Sequence, residues 1–468
     1  MESKTNLNRA LGLTSVVVIV IANILGSGVY KKIAPMAAEL GSSAWVLGAW
    51  IAGGIITLFG ALCNAEIAGL LAETGGEYSY YKKIYNKFFA FLYGWSLFSV
   101  IQSAGIASLA YVFSQSLNSV LNLHQLFPNL QHFKLFGFFL PFENFSVKLI
   151  AILLISCLTF INSRGVKSVA KLSNVLLILV FIGIGLIIIF GLGSSQSNLN
   201  LILDTSNSVK PVTISVFLTA MLAAFWAYQG WSSIGFIGGE IKDASKNIPR
   251  GISIGLIIVI IIYVVVNATY LSLLSIDDLI SINAAGNQIA AVKAVEIFWG
   301  QHGVVFISVL ILITTLGCTH ATIMSSCRAY FAMAKEGMFF KKVAVLNNNQ
   351  APANALKFQG VWASILVLSG TFDQLTDMII FAVYIYYGAT AFGVFILRKK
   401  MPNANRPYKV WGYPIVPGFF VLFCIALFIN TIISKPREAA FGMILMLTGV
   451  PLYYWFVSKN KKSDNNLN

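Results

Sequence analysis

The chain has 468 residues, 57% of them hydrophobic and only 10% charged, with a net charge of +15. Soluble domains keep roughly a quarter of their residues charged, so this composition excludes a soluble enzyme or binding module and describes a multi-span membrane protein. The basic excess does not indicate nucleic acid, because no polar, basic folded segment is present to host it.

Apolar runs fall near residues 12–38, 44–72, 88–121, 146–163, 169–193, 212–240, 250–274, 300–334, 357–371, 375–397, 414–433 and 438–457. A spanning helix needs about 20 residues, so these predict twelve membrane helices, the ninth a short one. With the N-terminus placed inside, alternate loops sum to +17 inside and −1 outside, and Glu66 supplies the remaining unit. That asymmetry predicts both termini on the cytoplasmic side of a cytoplasmic membrane. No cleaved leader is expected, since the first run lacks a small-residue cleavage site. The compact loops suggest a prokaryotic source.

The first run is interrupted at mid-depth by Asn23-Ile24-Leu25-Gly26-Ser27-Gly28-Val29-Tyr30. Glycine lets the chain leave helical geometry cheaply, and the N–H groups that open the second half-helix then converge with partial positive charge behind them. A carboxylate suits such a spot. Lys31 and Lys32 follow, placed to line the outer vestibule or to snorkel to the interface. In the second run Glu66 is an intramembrane acid, hence a functional candidate, with a structural anchor as the plainer reading. The stretch Glu73 to Lys83 reads as an amphipathic surface element. Gln102, in a third run rich in small residues, serves either the wall of a pocket or the contact between helices. His124 and His132 read as solvated loop histidines, and the basic turn from Asn162 to Lys171 opens the fifth helix.

The sixth run breaks at Tyr228-Gln229-Gly230-Trp231, with Gly235, Gly238 and Gly239 beyond. Two broken helices in corresponding halves of one chain point to a transporter binding site. Pro249 is expected to start the seventh helix, and residues 283–298 read as a short capping helix. The eighth carries a polar stripe, Thr314, Thr315, Thr319, His320, Thr322, Ser325 and Ser326, that faces the bundle. His320 reads either as a titrating group or as a neutral, hydrogen-bonded histidine. Tyr384, Tyr386 and Tyr387 supply aromatic wall in the tenth, and residues 414–457 look peripheral. The five cysteines, Cys63, Cys157, Cys318, Cys327 and Cys424, have no paired spacing, so no disulfide framework, metal site or cofactor is expected.

Taken together these residues resemble the amino acid–polyamine–organocation transporters, in particular bacterial L-amino-acid permeases and exchangers. The resemblance rests on Gly26 to Tyr30, on Glu66 with Gly75-Gly76-Glu77-Tyr78, and on Gly165-Val166-Lys167. It rests also on Phe225 to Trp231, on Glu240 with Asn247-Ile248-Pro249-Arg250, and on Arg328 with Ala334-Lys335-Glu336-Gly337, all in the family's order. It implies an all-α, LeuT-like fold. Two inverted five-helix repeats, residues 12–193 and 212–397, carry the discontinuous first and sixth helices; two peripheral helices occupy 414–457, and 1–11 and 458–468 are cytoplasmic ends. It also implies a substrate carboxylate on Gly26, Ser27 and Gly28, an α-amino group at the unwound Trp226, Ala227, Tyr228 and Gly230, and Trp226 as the gate. Gln102, Thr319, His320 and Tyr384 are candidates for the side-chain pocket. A lysine found mid-way along the fifth helix in some members is replaced here by Val180, which makes lysine-based coupling doubtful. His320 stands where the exchangers often have asparagine.

No Asp, Glu, Lys or Arg falls at mid-depth in the first, third, sixth, eighth or tenth helix, with Asp377 near the outer end of the tenth. A charged substrate side chain would therefore lack a partner in a low-dielectric site, and neutral amino acids are favoured. The expected function is exchange of neutral L-amino acids, with proton-coupled symport through Glu66 or His320 as the alternative. A membrane enzyme is disfavoured by the absence of nucleophile–base or metal-ligand spacing, and a non-transporting sensor by the retained glycines. Substrate and bilayer are the expected partners, with no nucleic acid; the oligomeric state is left open.

Overall fold

Backbone in hydrocarbon must satisfy its hydrogen bonds within its own segment, so apolar runs of this length form helices. The computed structural model describes residues 9, 11–71, 75–135, 140–164, 169–204, 211–286, 288–349 and 351–465. In chain order the helices are α1 (Leu13–Ile24), α2 (Gly28–Lys31), α3 (Ile33–Leu40), α4 (Ser43–Leu70), α5 (Glu77–Ile84), α6 (Lys87–Ser96), α7 (Gln102–Leu121), α8 (Phe145–Ser163), α9 (Val169–Leu192), α10 (Ile214–Ala227), α11 (Ala244–Leu273), α12 (Ile276–Ala285), α13 (Ala290–Lys335), α14 (Ala353–Ser369), α15 (Phe372–Lys400), α16 (Ile415–Ser434), α17 (Pro436–Leu447) and α18 (Gly449–Asn465). A π turn, Leu97–Ile101, joins α6 to α7, and a 3-10 segment, Trp231–Glu240, follows α10.

Among the described residues nine stretches are long and apolar enough to cross a membrane, and Leu13–Ile24 and Leu177–Leu192 are shorter apolar helices. No strand forms among them; Leu11 and Ile241 share one isolated bridge. The core is built by α4 packed on α11 and α7 packed on α13, with α1 held between α11 and the 3-10 segment. α16 and α17 lie against α15.

Both interruptions expected from glycine appear as breaks. α1 ends at Ile24 and helix resumes at Gly28. α10 ends at Ala227, and the chain resumes as a 3-10 segment after Gly230, whose φ of 120° only glycine adopts without strain. Two expectations are corrected. α11 begins at Ala244, so Pro249 is inside its second turn rather than at its start; having no N–H, it leaves the Ser245 carbonyl without its helical donor. The short capping helix is α12, residues 276–285, not 283–298. Ser275 and Asp278 fix its start with a reciprocal capping box, and residues from 290 onward belong to α13, which bends at Gly300, φ 58°. The Gly165-Val166-Lys167 motif lies outside the described residues.

Glu66 joins distant parts of the chain. Arg398 Nε and Nη2 donate to its two oxygens at 2.9 and 2.7 Å, the Val410 amide donates at 2.7 Å, and Arg406 approaches at 3.4 Å. This ties α4 to the connection between α15 and α16.

Candidate functional site

The two breaks meet. A Cβ added to Gly28 would lie 2.5 Å from the Cα of Ala227, and one added to Gly230 would lie 2.3 Å from the carbonyl oxygen of Asn23. Each break therefore presents glycine to the backbone of the other, which is why the sequence spends glycine at both. The helix ends exposed by the breaks need donors. Tyr263 of α11 supplies one: its hydroxyl lies 2.9 Å from the Ile24 carbonyl and 3.1 Å from the Ala227 carbonyl, shared between the last turns of α1 and α10. Sequence reasoning missed Tyr263. Its signal is a single hydroxyl in the otherwise apolar run Ile260 to Val266, a group that must turn inward in a membrane.

A cavity opens beside the crossing. Gly26, Ser27, Gly28, Gln102, Trp226, Ala227 and Gly230 all line it, together with Asn23 and Gln229 of the two interruptions, Thr322 of the polar stripe, Cys318, and Ser233, which sequence reasoning did not single out. Gln102 reaches the wall just after the π turn, and such turns re-aim side chains at functional positions. Ser27 Oγ is buried and has no hydrogen-bond partner among the described residues. It stands at the N-terminal end of α2, where backbone N–H groups are also open. Among the described residues no Asp, Glu, Lys, Arg or His lines the cavity.

Tyr228, Thr319, His320 and Tyr384 are not brought to its wall. The Tyr228 hydroxyl turns to the Trp50 carbonyl at 3.1 Å, and Thr319 Oγ1 bonds back to the Thr315 carbonyl at 2.6 Å. His320 Nδ1 lies 2.9 Å from Asn162 Nδ2, at the contact of α13 with α8, because its helical position faces that neighbour. Tyr384 packs its ring 4.6 Å from Phe225, behind the break. Val180 lies in a smaller hollow with Leu25 and Cys318, so the residue behind the first break is a buried hydrocarbon.

The cavity is roofed at the α15 N-terminus. Trp226 lies edge-on to Phe372, ring centroids 6.1 Å apart, and the Lys31 and Lys32 ammoniums sit over Phe372 at 4.7 and 4.6 Å. Lys32 Nζ donates to Asp373 Oδ1 at 2.6 Å and to Thr376 Oγ1 at 2.7 Å; Lys31 Nζ donates to Gln115 Oε1 at 2.9 Å. Neither lysine snorkels: they are 6% and 1% exposed and tie α2 to α7 and α15.

A family model described as amino acid permease matches residues 11–457. The serine/threonine exchanger SteT of Bacillus subtilis (strain 168) is 31% identical over 467 residues, covering 97% of this chain and 98% of that protein. The mouse large neutral amino acids transporter small subunit 2 is 29% identical, with 96% and 81% covered. The human b(0,+)-type amino acid transporter 1 is 25% identical, with 97% and 89% covered. A match along nearly the whole chain leaves one reading of the crossed, broken helices: this protein belongs to the amino acid permease family of the amino acid–polyamine–organocation superfamily, a family of transporters and not of enzymes.

Proposed function

We propose that this protein exchanges neutral L-amino acids across the cytoplasmic membrane by alternating access, binding them where the two broken segments cross. The observation that carries the reading is the Ser27 Oγ, buried and unpartnered among the described residues, beside the open start of α2, in a cavity that no described Asp, Glu, Lys, Arg or His lines. Ser27 and the backbone of Gly26 and Gly28 take the carboxylate. Carbonyls near Trp226 and Ala227 take the α-amino group, the Ala227 oxygen keeping a second lone pair beside its bond to Tyr263. Trp226, backed by Phe372, is the gate on the outer side, and Lys32 with Asp373 and Thr376 latches it.

In this reading residues 12–193 and 212–397 are inverted five-helix repeats and 414–457 are peripheral, making twelve spans with both ends cytoplasmic. The pairings α4 with α11 and α7 with α13, which join equivalent positions of the two halves, support it. So does the loop charge asymmetry for the orientation. Exchange is favoured over symport because Glu66 is committed to two arginines and a hydrocarbon, Val180, backs the first break. The names of the relatives support neutral substrates, small hydroxylated ones among them. The test is uptake of labelled serine, threonine, alanine and leucine into proteoliposomes with and without unlabelled amino acid inside. Uptake that needs internal amino acid supports exchange; concentrative uptake into empty vesicles driven by a proton gradient overturns it.

A further inference from the structure

By exposure, Glu66 and Glu77 are the two fully buried carboxylates among the described residues, and their surroundings are opposite. Glu66 is neutralised by Arg398 and Arg406. Glu77, 1% exposed, opens α5; Asn64 Nδ2 donates to its Oε1 at 3.1 Å, the Ser232 and Tyr93 hydroxyls stand close by, and its Oε2 is buried without a well-formed hydrogen bond among the described residues. The groups that face it are Asn64 from α4, Tyr93 from α6, Ser232 from the 3-10 segment, Tyr387 from α15, and Tyr81 of its own helix. No ammonium, guanidinium, imidazole or second carboxylate is among them. A carboxylate without a counter-charge in so dry a place is held better with its proton on, and burial pushes this carboxyl up to about 7.

Two contacts connect this acid to the transport site. The start of α5 rests on the 3-10 segment: the Gly75 amide donates to the Phe236 carbonyl at 3.4 Å, and a Cβ on Gly76 would lie 3.2 Å from the Gly235 carbonyl carbon. Ser232, on the same segment, is 3.4 Å from the Tyr387 hydroxyl, which donates at 3.0 Å to Gln229 Oε1, and Gln229 lines the cavity. Any movement of the second broken segment away from α5 therefore opens Glu77 to water and disturbs the cavity wall together.

We propose that Glu77 is a proton-binding site that controls closure of the 3-10 segment on α5, so that exchange depends on pH although no proton crosses the membrane. In the closed arrangement the carboxyl holds its proton; on opening, the proton passes to water on that same side and the carboxylate is hydrated, then recaptures a proton from that water before closure. The direction follows from the two environments. Closure raises the affinity for the proton above that of a hydrated glutamate, near 4.3. Falling pH therefore stabilises the closed arrangement, and rising pH through about 7 favours the open one.

The inference rests on the exchange reading, and the experiment separates the two. Homoexchange of labelled serine is measured in proteoliposomes with pH set equally on both sides, from about 5.5 to about 8.5, for wild type and Glu77→Gln. The wild-type rate is expected to change about threefold or more with a midpoint near 7, and the variant to exchange with a flat profile. Melting temperature in detergent is read over the same range and needs no transport: wild type should lose stability as pH rises through the midpoint, and Glu77→Gln should not. Should Glu77→Gln fail to fold, Asn64→Leu removes the amide donor to the carboxylate and should move the midpoint upward. Brisk exchange with coincident pH profiles in wild type and variant overturns this inference alone. Absence of exchange at every pH overturns the transport reading and this inference with it.

Discussion

Ser27 is the residue on which the binding argument turns. Its hydroxyl is buried without a partner, an arrangement that costs stability unless a ligand completes it. Ser27→Ala should raise the KM for exchange roughly tenfold to a hundredfold, the loss of about 1.5–3 kcal/mol typical of a hydrogen bond to a charged group, with little change in melting temperature. Gly28→Ala should abolish exchange even where the protein reaches the membrane, because its methyl would fall 2.5 Å from the Ala227 Cα. Tyr263 works differently, through the helix ends. Tyr263→Phe deprives the Ile24 and Ala227 carbonyls of their shared donor and should lower stability by about 1–3 kcal/mol, seen as a drop in melting temperature together with slower exchange.

Between elements, two ion pairs, each with one buried partner, do different work. Glu66 binds α4 to the connection after α15, so Glu66→Gln leaves Arg398 and Arg406 without their counter-charge and should cost on the order of 3–5 kcal/mol. Its checks are melting temperature and the pH profile of exchange: stability should fall while the profile keeps its shape. Lys32 and Asp373 latch α2 to α15 over the aromatic roof. Asp373→Asn strands a fully buried ammonium, whereas Lys32→Met with Asp373→Asn removes both charges. The double variant should therefore recover much of the stability lost by the single one, and should let substrate in from the outer side faster than wild type.

For the whole molecule, the prediction concerns what is carried and what drives it. A cavity that no described Asp, Glu, Lys, Arg or His lines has no partner for a second charge on the substrate. Lysine, arginine, glutamate and aspartate should therefore fail to compete with labelled serine at concentrations where neutral amino acids compete fully. Replacing sodium should leave exchange unchanged, and competition by a charged amino acid would contradict the assignment of the cavity.

What the sequence by itself determined is what depends on local chemistry. Apolar runs of bilayer length must become helices, loop lysines and arginines predict a sidedness, and glycine at mid-depth marks where helices break, so Gly26 to Gly28 and Gly230 were legible from one dimension. Elements set by capping and by long-range bonds were less so: α11 starts before Pro249, and α12 sits where Ser275 and Asp278 close a capping box. Only the tertiary structure decided which polar residues face one another, because the face of a helix that meets the cavity depends on its rotation against its neighbours. Rotation carried Gln102 to the wall and took Thr319, His320 and Tyr384 away from it. It gave Glu66 its arginines from a stretch more than three hundred residues later, paired Lys32 with Asp373, and left Glu77 dry among an amide and hydroxyls with no counter-charge. Charge pairing across such separations is a property of packing, which no reading of spacing along the chain contains.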